Sequence, residues 1–430
     1  MDQRDSSRNF RVLILSSSLF GLAFGIYDLA LPLFMHASGF TALQGSLVFA
    51  VPLGVSIVLR LWIGRFSDFL GRKVFYTLSM FGAAVCSFLT PFFPIVSAQV
   101  GLRSLWMACQ SMRDTLHSVF LYETAKEKFI SIVGKTNAAH LVFQAAGLIL
   151  VGYGLGWVLP GKAGAQENYM PVLMLSSAAA LAASAALAIG LREQFRTAPL
   201  QTSVFLKELV SVEFDARLYV LMAAMIVFSI GLGTCHTYTM YVFWQDRFGI
   251  SRSGMGWLMA AHRLAFAVSS FMAGFVVRGW VHKHRRGVMM ALICVQGVTT
   301  AAAGIIPQFW PALVVWLMHD LLGAGVWSPI RQSLLQRYSR GHVRGTDTAK
   351  ALAIGEAGMI VGALLAGWLY RPEAAALVRA AIPLPGGDKA HLGLPFLVGG
   401  VITVVSVVPL LALLVMDPEE RGEAATNAAG

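Results

Sequence analysis

The sequence predicts an all-α membrane protein in which twelve transmembrane helices form two pseudo-symmetric six-helix halves. Its 430 residues are 57% hydrophobic and only 13% charged, and their mean hydropathy is +0.67. Apolar segments long enough to cross a bilayer follow one another along the chain, and part of the second half resembles the first. Because the polar residues are too few to cover a water-soluble globule of this size, a soluble enzyme is excluded.

Twelve segments have the length that a bilayer requires, since a hydrocarbon core of about 30 Å needs about 20 apolar helical residues. The first segment is too long for a cleaved signal peptide, so we expect it to remain as helix one. The predicted spans are 12–35, 43–63, 74–95, 98–122, 134–158, 170–191, 218–243, 254–278, 288–306, 310–336, 348–370 and 393–416.

Basic residues lie mainly on one side of the predicted membrane. With the N-terminus inside, and with Lys135, Arg278 and Lys350 at the inner span ends counted as inner, 22 Lys and Arg lie on the inner side, 6 in outer loops and 5 deeper within spans. The positive-inside rule therefore predicts that both termini are cytoplasmic, and we expect a bacterial cytoplasmic (inner) membrane. The basic stretch 282–286 fits the same rule. Because basic residues are scattered at span ends, they do not form the stripe typical of nucleic-acid-binding proteins.

The spans group into two halves with a linker between them. We predict an N-terminal half, a cytoplasmic central linker, a C-terminal half and a polar cytoplasmic tail, at 1–191, 192–217, 218–416 and 417–430.

An internal repeat supports the two halves. Aligning 134–157 with 345–368, an offset of 211, matches eight of 24 positions, including Gly147 with Gly358. In the first span, an offset of 208 aligns Asp28 with His236. Duplicated halves of a membrane protein imply a binding site at their interface, near the midplane.

A motif stands between the second and third spans, in the stretch GRFSDFLGRK. Gly64 lets two helix ends approach closely, and Gly71 permits a chain reversal. Asp68 accepts hydrogen bonds at a helix terminus, while Arg72 and Lys73 anchor the inner surface. This gating motif resembles the G-x-x-x-D-x-x-G-R-K loop signature of the major facilitator superfamily, and the twelve spans agree with that family.

The resemblance implies a bundle that opens alternately to the two sides of the membrane, with the gating motif as a charge latch on one conformation. It also implies that every third helix faces lipid. The second-half counterpart keeps Gly274 but has Arg278 where the acid would stand, so we expect a weaker or differently built latch. The fifth span has no G-P pair of the family's antiporter signature, which argues against antiport.

Ionisable residues inside the spans follow the implied division, because spans three, six, nine and twelve contain none. Charged groups in mid-bilayer cost a few kcal/mol or more each, so they should face a hydrated pathway. We expect the substrate and proton pathway to contain Asp28, Arg103, Arg113, Asp114, His236, His262, Arg263, Asp320, Arg331 and Glu356.

Helical spacing refines these candidates. At 100° per residue Arg103 and Asp114 fall within one narrow arc, as do Asp320 and Arg331. We expect Asp28 or Asp320 to pair with Arg103 or Arg263 when solute is absent and to exchange that partner for a proton or ligand. The adjacent pair Arg113–Asp114 is either a pathway element or a structural brace.

Histidines divide into two groups. Neutral imidazole is inexpensive to bury and titrates near physiological pH, which makes His236 and His262 pathway candidates. His117, His140 and His319 are interpreted as packing residues bonded to the backbone.

These patterns favour a secondary transporter of a small organic solute, without enzymatic activity, and the family resemblance implies a monomer. Acids within the spans favour a proton as the coupling ion, and five intramembrane Arg against four acids favour an anionic or zwitterionic solute. No cofactor is expected, and no metal site either, since the four cysteines show neither C-x-x-C spacing nor a nearby His cluster. Two alternatives stay open: drug or metabolite efflux by proton antiport, and a transporter-like receptor or assembly partner that does not transport.

Overall fold

The computed structural model consists mainly of helices. It describes residues 3–40, 42–124, 128–158, 169–193, 213–236, 240, 243–250, 252–278, 280–369, 376–377 and 387–416. Most of the predicted linker and the whole predicted tail lie outside the described residues.

Six long helices make up the first half of the chain, each around one predicted span. They are α1 (Gln3–Ala37), α2 (Ala42–Leu70), α3 (Arg72–Leu89), α4 (Val96–Thr124), α5 (Phe129–Val158) and α6 (Met170–Gly190).

Six further helical segments match the remaining spans. They are α7 (Ala216–Cys235), α8 (Arg252–Val276), α9 (Arg285–Ile305), α10 (Phe309–Tyr338), α11 (Arg344–Leu369) and α12 (His391–Met416).

Nine of these helices are long and apolar enough to cross a membrane, counting only the described ranges. The other three are α2, α4 and α5. They have 29, 29 and 30 residues, which is also long enough to span a bilayer. The all-α membrane fold predicted from hydropathy is therefore confirmed.

The seventh span ends earlier than predicted. Hydropathy extends it to residue 243, but α7 ends at Cys235 and His236 leaves the helical conformation, with φ −113° and ψ 13°. Hydropathy did not reveal this end, because the apolar stretch 240–243 follows shortly after it.

The chain divides into two compact units. Unit 1 comprises Met1–Glu213, Ser251–Ala267 and Arg340–Ala353. Unit 2 comprises Phe214–Ile250, Val268–Ser339 and Ile354–Gly430.

The same helix pairs pack within each unit. In unit 1, α1 packs on α5 and α6, and α3 packs on α4 and α6. In unit 2, α7 packs on α11 and α12, and α9 packs on α10 and α12. These pairs correspond to one another when each helix is advanced by six positions, as expected for a duplicated six-helix element.

The aligned glycines Gly147 and Gly358 have the same packing role. A Cβ on Gly147 would collide with the α1 backbone at Leu22 and Ile26, and one on Gly358 with the α7 backbone at Ile226 and Ile230. Matching these contacts gives α1 and α7 an offset of 204, which aligns Asp28 with Leu232. The alignment of Asp28 with His236 was therefore wrong by one helical turn.

Large apolar side chains remain exposed on the helices that carry no ionisable residue within their predicted spans. Examples are Phe81 on α3, Leu181 on α6, Val298 on α9 and Val401 on α12, each with more than 40% of its surface exposed. In water such a surface would be unfavourable, whereas lipid solvates it without cost.

Candidate functional site

Asp28 and Arg103 form an ion pair inside unit 1. Asp28 lies on α1 and Arg103 on α4, and Asp28 Oδ1 is 3.4 Å from Arg103 Nη2. The side chain of Arg103 is 7% exposed and that of Asp28 24% exposed, so the carboxylate is the more accessible partner. The pairing is one of those expected from the sequence.

Aromatic rings surround the Arg103 guanidinium. Its Cζ lies 4.9 Å from the ring centroid of Trp106 and 5.4 Å from that of Tyr27. The two rings stack on each other with centroids 4.7 Å apart. Cation–π attraction stabilises the positive charge without using its hydrogen-bond donors, which therefore stay directed at an anionic partner.

Arg113 lies further along α4 than Arg103 and contacts two polar side chains. Its Nη1 is 2.7 Å from Asp114 Oδ1, and its Nη2 donates to Ser17 Oγ on α1 at 2.5 Å. The guanidinium also lies over Phe20, at 5.3 Å from the ring centroid. Because Arg113 is buried and links α1 to α4, these contacts are those of a brace.

His140 and His117 have local partners in unit 1. His140 Nδ1 lies 3.0 Å from the carbonyl oxygen of Ser17. His117 Nδ1 lies 2.6 Å from the hydroxyl of Tyr76. Bonding to the backbone was therefore a wrong expectation for His117, whose partner is a side chain.

A cluster of ionisable groups lies inside unit 2, where α7 ends and α10 changes geometry. His236 Nε2 is 3.0 Å from His319 Nε2. His319 Nε2 is also 3.3 Å from Asp320 Oδ1. His319 is therefore more than the packing residue that the sequence suggested, although its Nδ1 does bond the carbonyl of Trp316.

The backbone of α10 explains this geometry. Residues His319–Ala324 form a π-helical segment between two α-helical parts of α10. A π segment advances less than 100° per residue, so the narrow arc predicted for Asp320 and Arg331 rests on a wrong period. Arg331 instead lies over the Trp327 ring, at 5.3 Å from its centroid, and its Nη1 is 3.9 Å from Met225 Sδ.

Glu356 also sits at a helix irregularity. The first α-helical part of α11 ends at Glu356 and the second begins at Gly358. The backbone N–H of Ala357 bonds Ile354 and that of Ile360 bonds Ala357, three residues back in each case. Discontinuous membrane helices often form binding sites in transporters, because their backbone groups become available to ligands.

The remaining pathway candidates, His262 and Arg263, are neighbours on α8. His262 is buried and Arg263 half-buried. Arg263 contributes to the electrostatic environment of His140.

The gating motif is partly described. Gly71 adopts φ +101°, a value that favours glycine, so the chain reversal attributed to it is found. The side chain of Asp68 lies outside the described residues, as does the packing of Gly64. The Glu193 carboxylate accepts the backbone N–H of Arg72 at 2.5 Å and that of Lys73 at 3.4 Å. It thereby caps the first turn of α3.

The side chain of Arg72 does not have the surface position that the sequence predicts. Its side chain is fully buried and donates to Glu123 near the end of α4. In the second-half counterpart, Arg278 Nε donates to the carbonyl of Gly274 on its own helix at 3.0 Å. That arrangement provides no link to another helix.

Three functional candidates escaped the sequence analysis: Glu123, Glu193 and His319. Glu193 contacts a residue 121 positions away, and no local pattern indicates such a pairing. For His319 a signal existed, because two adjacent ionisable residues, His319 and Asp320, interrupt an apolar run.

Comparisons with known proteins show which proteins share this fold. The Major Facilitator Superfamily model matches residues 220–430. The human organic anion transporter MFSD10 (TETRAN) is similar in structure, with a TM-score of 0.68, 16% identity and coverage of 94% of this chain and 99% of that chain. The proton:xylose symporter XylE, bound to 6-bromo-6-deoxy-D-glucose, has a TM-score of 0.69 at 13% identity, with 95% of each chain covered.

A sequence search of curated proteins finds no match. The family model covers the second half, the gating motif lies in the first, and the solved structures match the fold over nearly the whole chain. The chain belongs to the major facilitator superfamily, whose members are membrane transporters.

Proposed function

We propose that this protein is a secondary active transporter that moves a small organic anion or zwitterion by alternating access, with a proton as coupling ion. The two halves, 1–191 and 218–416, would rock around a central site. The observation that supports this proposal most directly is the Arg103 guanidinium, which is buried beside aromatic rings and paired with the partly exposed carboxylate of Asp28.

Arg103 has the properties of a site for a carboxylate. At 3.4 Å its contact with Asp28 is longer than the 2.7–2.9 Å usual for a charge-assisted hydrogen bond. A solute carboxylate that binds the guanidinium at the shorter distance would form the stronger bond. Asp28 would then lose its counter-ion, and a carboxylate without a counter-ion in a low-dielectric site takes up a proton more readily. We therefore assign to Asp28 the role of carrying the coupling proton.

Two of the compared structures represent the two solute classes to be separated. MFSD10 is described as an organic anion transporter and XylE as a proton:xylose symporter. The aromatic rings at Arg103 would suit a sugar face as well as an organic anion. Only the buried guanidinium distinguishes the two, because a neutral sugar gains less from a full positive charge.

A thermal-shift screen of the purified chain tests the proposal, since a ligand that binds the folded state raises Tm. We expect carboxylates or amino acids, rather than neutral sugars, to raise Tm. Arg103→Gln should abolish the shift, and Arg103→Lys should reduce it because a lysine has no bidentate fork. Arg278→Gln is the matched control. Stabilisation by neutral sugars that survives Arg103→Gln would contradict the anionic solute.

Reconstitution into vesicles then tests transport. We expect uptake of the stabilising solute to follow an imposed inward proton gradient and to cease when a protonophore collapses it. Efflux driven by the inward proton gradient, or uptake that requires an outward one, would indicate antiport. Ligand binding without transport under any gradient would indicate the receptor.

We also propose that the protein is a monomer in a bacterial inner membrane with both termini in the cytoplasm. The excess of Lys and Arg on one predicted side supports this orientation. Reporter fusions at the two termini test the orientation. At both termini, a reporter that works only in the cytoplasm should be active, and a reporter that works only in the periplasm should be inactive.

A further inference from the structure

Two possible metal-ligating atoms lie close to His319 Nε2 in unit 2. His319 Nε2 lies 3.0 Å from His236 Nε2 and 3.3 Å from Asp320 Oδ1. The three residues come from two irregular places in the backbone, the end of α7 and the π segment of α10. π segments inside helices occur frequently at functional sites.

The other ring nitrogens show where the imidazole hydrogens lie. His319 Nδ1 bonds the carbonyl oxygen of Trp316, which can only accept, so Nδ1 carries the hydrogen. His236 Nδ1 lies 3.0 Å from Cys235 Sγ, and that sulfur is 3.2 Å from the carbonyl of Gly231. The thiol therefore donates to Gly231 and accepts from Nδ1 of His236. In neutral rings both Nε2 atoms then present lone pairs.

Two nitrogen lone pairs and a carboxylate oxygen at these distances repel one another unless a cation lies among them. A hydrogen on His319 Nε2 can form a good hydrogen bond to only one acceptor, either His236 Nε2 or Asp320 Oδ1. A metal ion accepts lone pairs from all three at once. Donors bound at about 2.0–2.1 Å to one tetrahedral ion lie about 3.3–3.4 Å apart. The observed separations of 3.0 and 3.3 Å are within a few tenths of an ångström of that value.

The surroundings also suit a metal ion. His319 and Asp320 are buried, whereas His236 is partly exposed and offers a route of entry. The Trp316 ring packs against both imidazoles, with centroids 5.4 Å from His319 and 6.4 Å from His236. The bond from His319 Nδ1 to a backbone carbonyl is the outer contact that orients most metal-binding histidines.

We infer that His236, His319 and Asp320 bind a divalent transition-metal ion of the Zn²⁺ class. Two imidazoles and one carboxylate suit Zn²⁺, Co²⁺ or Ni²⁺ and leave a coordination position for water or solute. Ca²⁺ and Mg²⁺ are disfavoured because they prefer oxygen donors. The site is separate from the Asp28–Arg103 pair and does not depend on which solute is transported.

Cobalt binding to the metal-stripped full-length protein in detergent tests the inference. The assay uses a His282→Gln/His284→Gln background, because these two exposed histidines would also take up metal ions. We expect one Co²⁺ per chain, an intense visible absorption typical of low coordination number, and its loss when Zn²⁺ is added. His319→Gln, His236→Gln and Asp320→Asn should each weaken binding at least tenfold.

His140→Gln is the matched control, since it removes a histidine that is partly buried, like His236, and that bonds the backbone of Ser17. It should bind Co²⁺ like the background protein. If His319→Gln fails to fold, as judged by size-exclusion profile and Tm, the other two variants decide the test. Absence of stoichiometric Co²⁺ uptake between pH 6 and 8, or unchanged affinity in folded His236→Gln and Asp320→Asn, would overturn the metal site. Failure here leaves the solute assays unaffected.

Discussion

Asp28 on α1 contacts Arg103 on α4 at 3.4 Å, and the pair joins a partly exposed carboxylate to a buried guanidinium. Exchange of a buried charge's partner is energetically demanding, because an unpaired buried ion costs several kcal/mol. The aromatic rings of Tyr27 and Trp106 lower that cost for Arg103 during the exchange. In the proposed function the two residues have different roles: Asp28 would carry the proton and Arg103 would anchor the solute.

The first prediction concerns Asp28→Asn. The amide keeps the shape of the side chain but cannot take up or release a proton, so we expect proton-driven uptake to fall at least tenfold. Exchange of labelled for unlabelled solute across the vesicle membrane, which requires no net proton movement, should continue. Both rates are measured on the same vesicles. Equal loss of exchange and uptake would remove Asp28 from coupling, and unchanged uptake would remove it from the mechanism.

The second prediction concerns the contact between α1 and α5. A Cβ on Gly25 would collide with the backbone carbonyl of Gln144, which cannot move without shifting a helix. We expect Gly25→Ala to lower the free energy of unfolding by about 1–3 kcal/mol, as overpacking does. In Gly101→Ala the new methyl meets no atom within 4 Å, so this control should be neutral or gain up to about 1 kcal/mol. Thermal unfolding followed by tryptophan fluorescence compares them, and equal Tm values would contradict the close contact.

The fold was predictable because hydropathy reports the length of each apolar segment directly. Each predicted span coincides with a helix, and the contact of Asp28 with Arg103 follows from two charged residues that must both avoid lipid. What the sequence did not reveal are contacts that depend on departures from regular helix. The end of α7 at Cys235 and the π segment at His319 break the constant 100° per residue on which helical spacing rests.

Long-range polar contacts escaped prediction for another reason. The carboxylate of Glu193 follows α6 and contacts backbone N–H groups at the start of α3. Neither side-chain pattern nor spacing signals a backbone donor, since every non-proline residue carries one. The internal repeat helped where packing is conserved between halves, as at Gly147 and Gly358, but it misaligned α1 with α7 by one turn.

The third prediction concerns the buried guanidinium of Arg72. Glu123→Gln would leave this fully buried charge with a neutral partner, so we expect the free energy of unfolding to fall by about 3 kcal/mol. Replacing both residues, in Arg72→Met/Glu123→Met, removes the buried charge together with its partner and should recover most of that loss. A double-mutant cycle on purified protein measures the coupling. A single variant as stable as the parent, or a double variant less stable than either single one, would contradict the buried pair.

The fourth prediction concerns the start of α7 and its pH dependence. Asp215 Oδ1 accepts the backbone N–H of Arg217 at 2.8 Å, and the two side chains form a bidentate pair. The hydrogen bonds from Arg217 hold the pKa of the Asp215 carboxyl below its usual 3.8. A lowered pKa in the folded state stabilises the protein above the unfolded value, and the contribution disappears as the pH falls through the folded pKa. At pH 7 we expect Asp215→Ala to cost about 1 kcal/mol, the usual value of a helix cap. The difference in Tm between parent and variant should therefore shrink steadily below pH 4. A difference that stays constant down to pH 3 would show that the carboxylate charge contributes nothing at this cap.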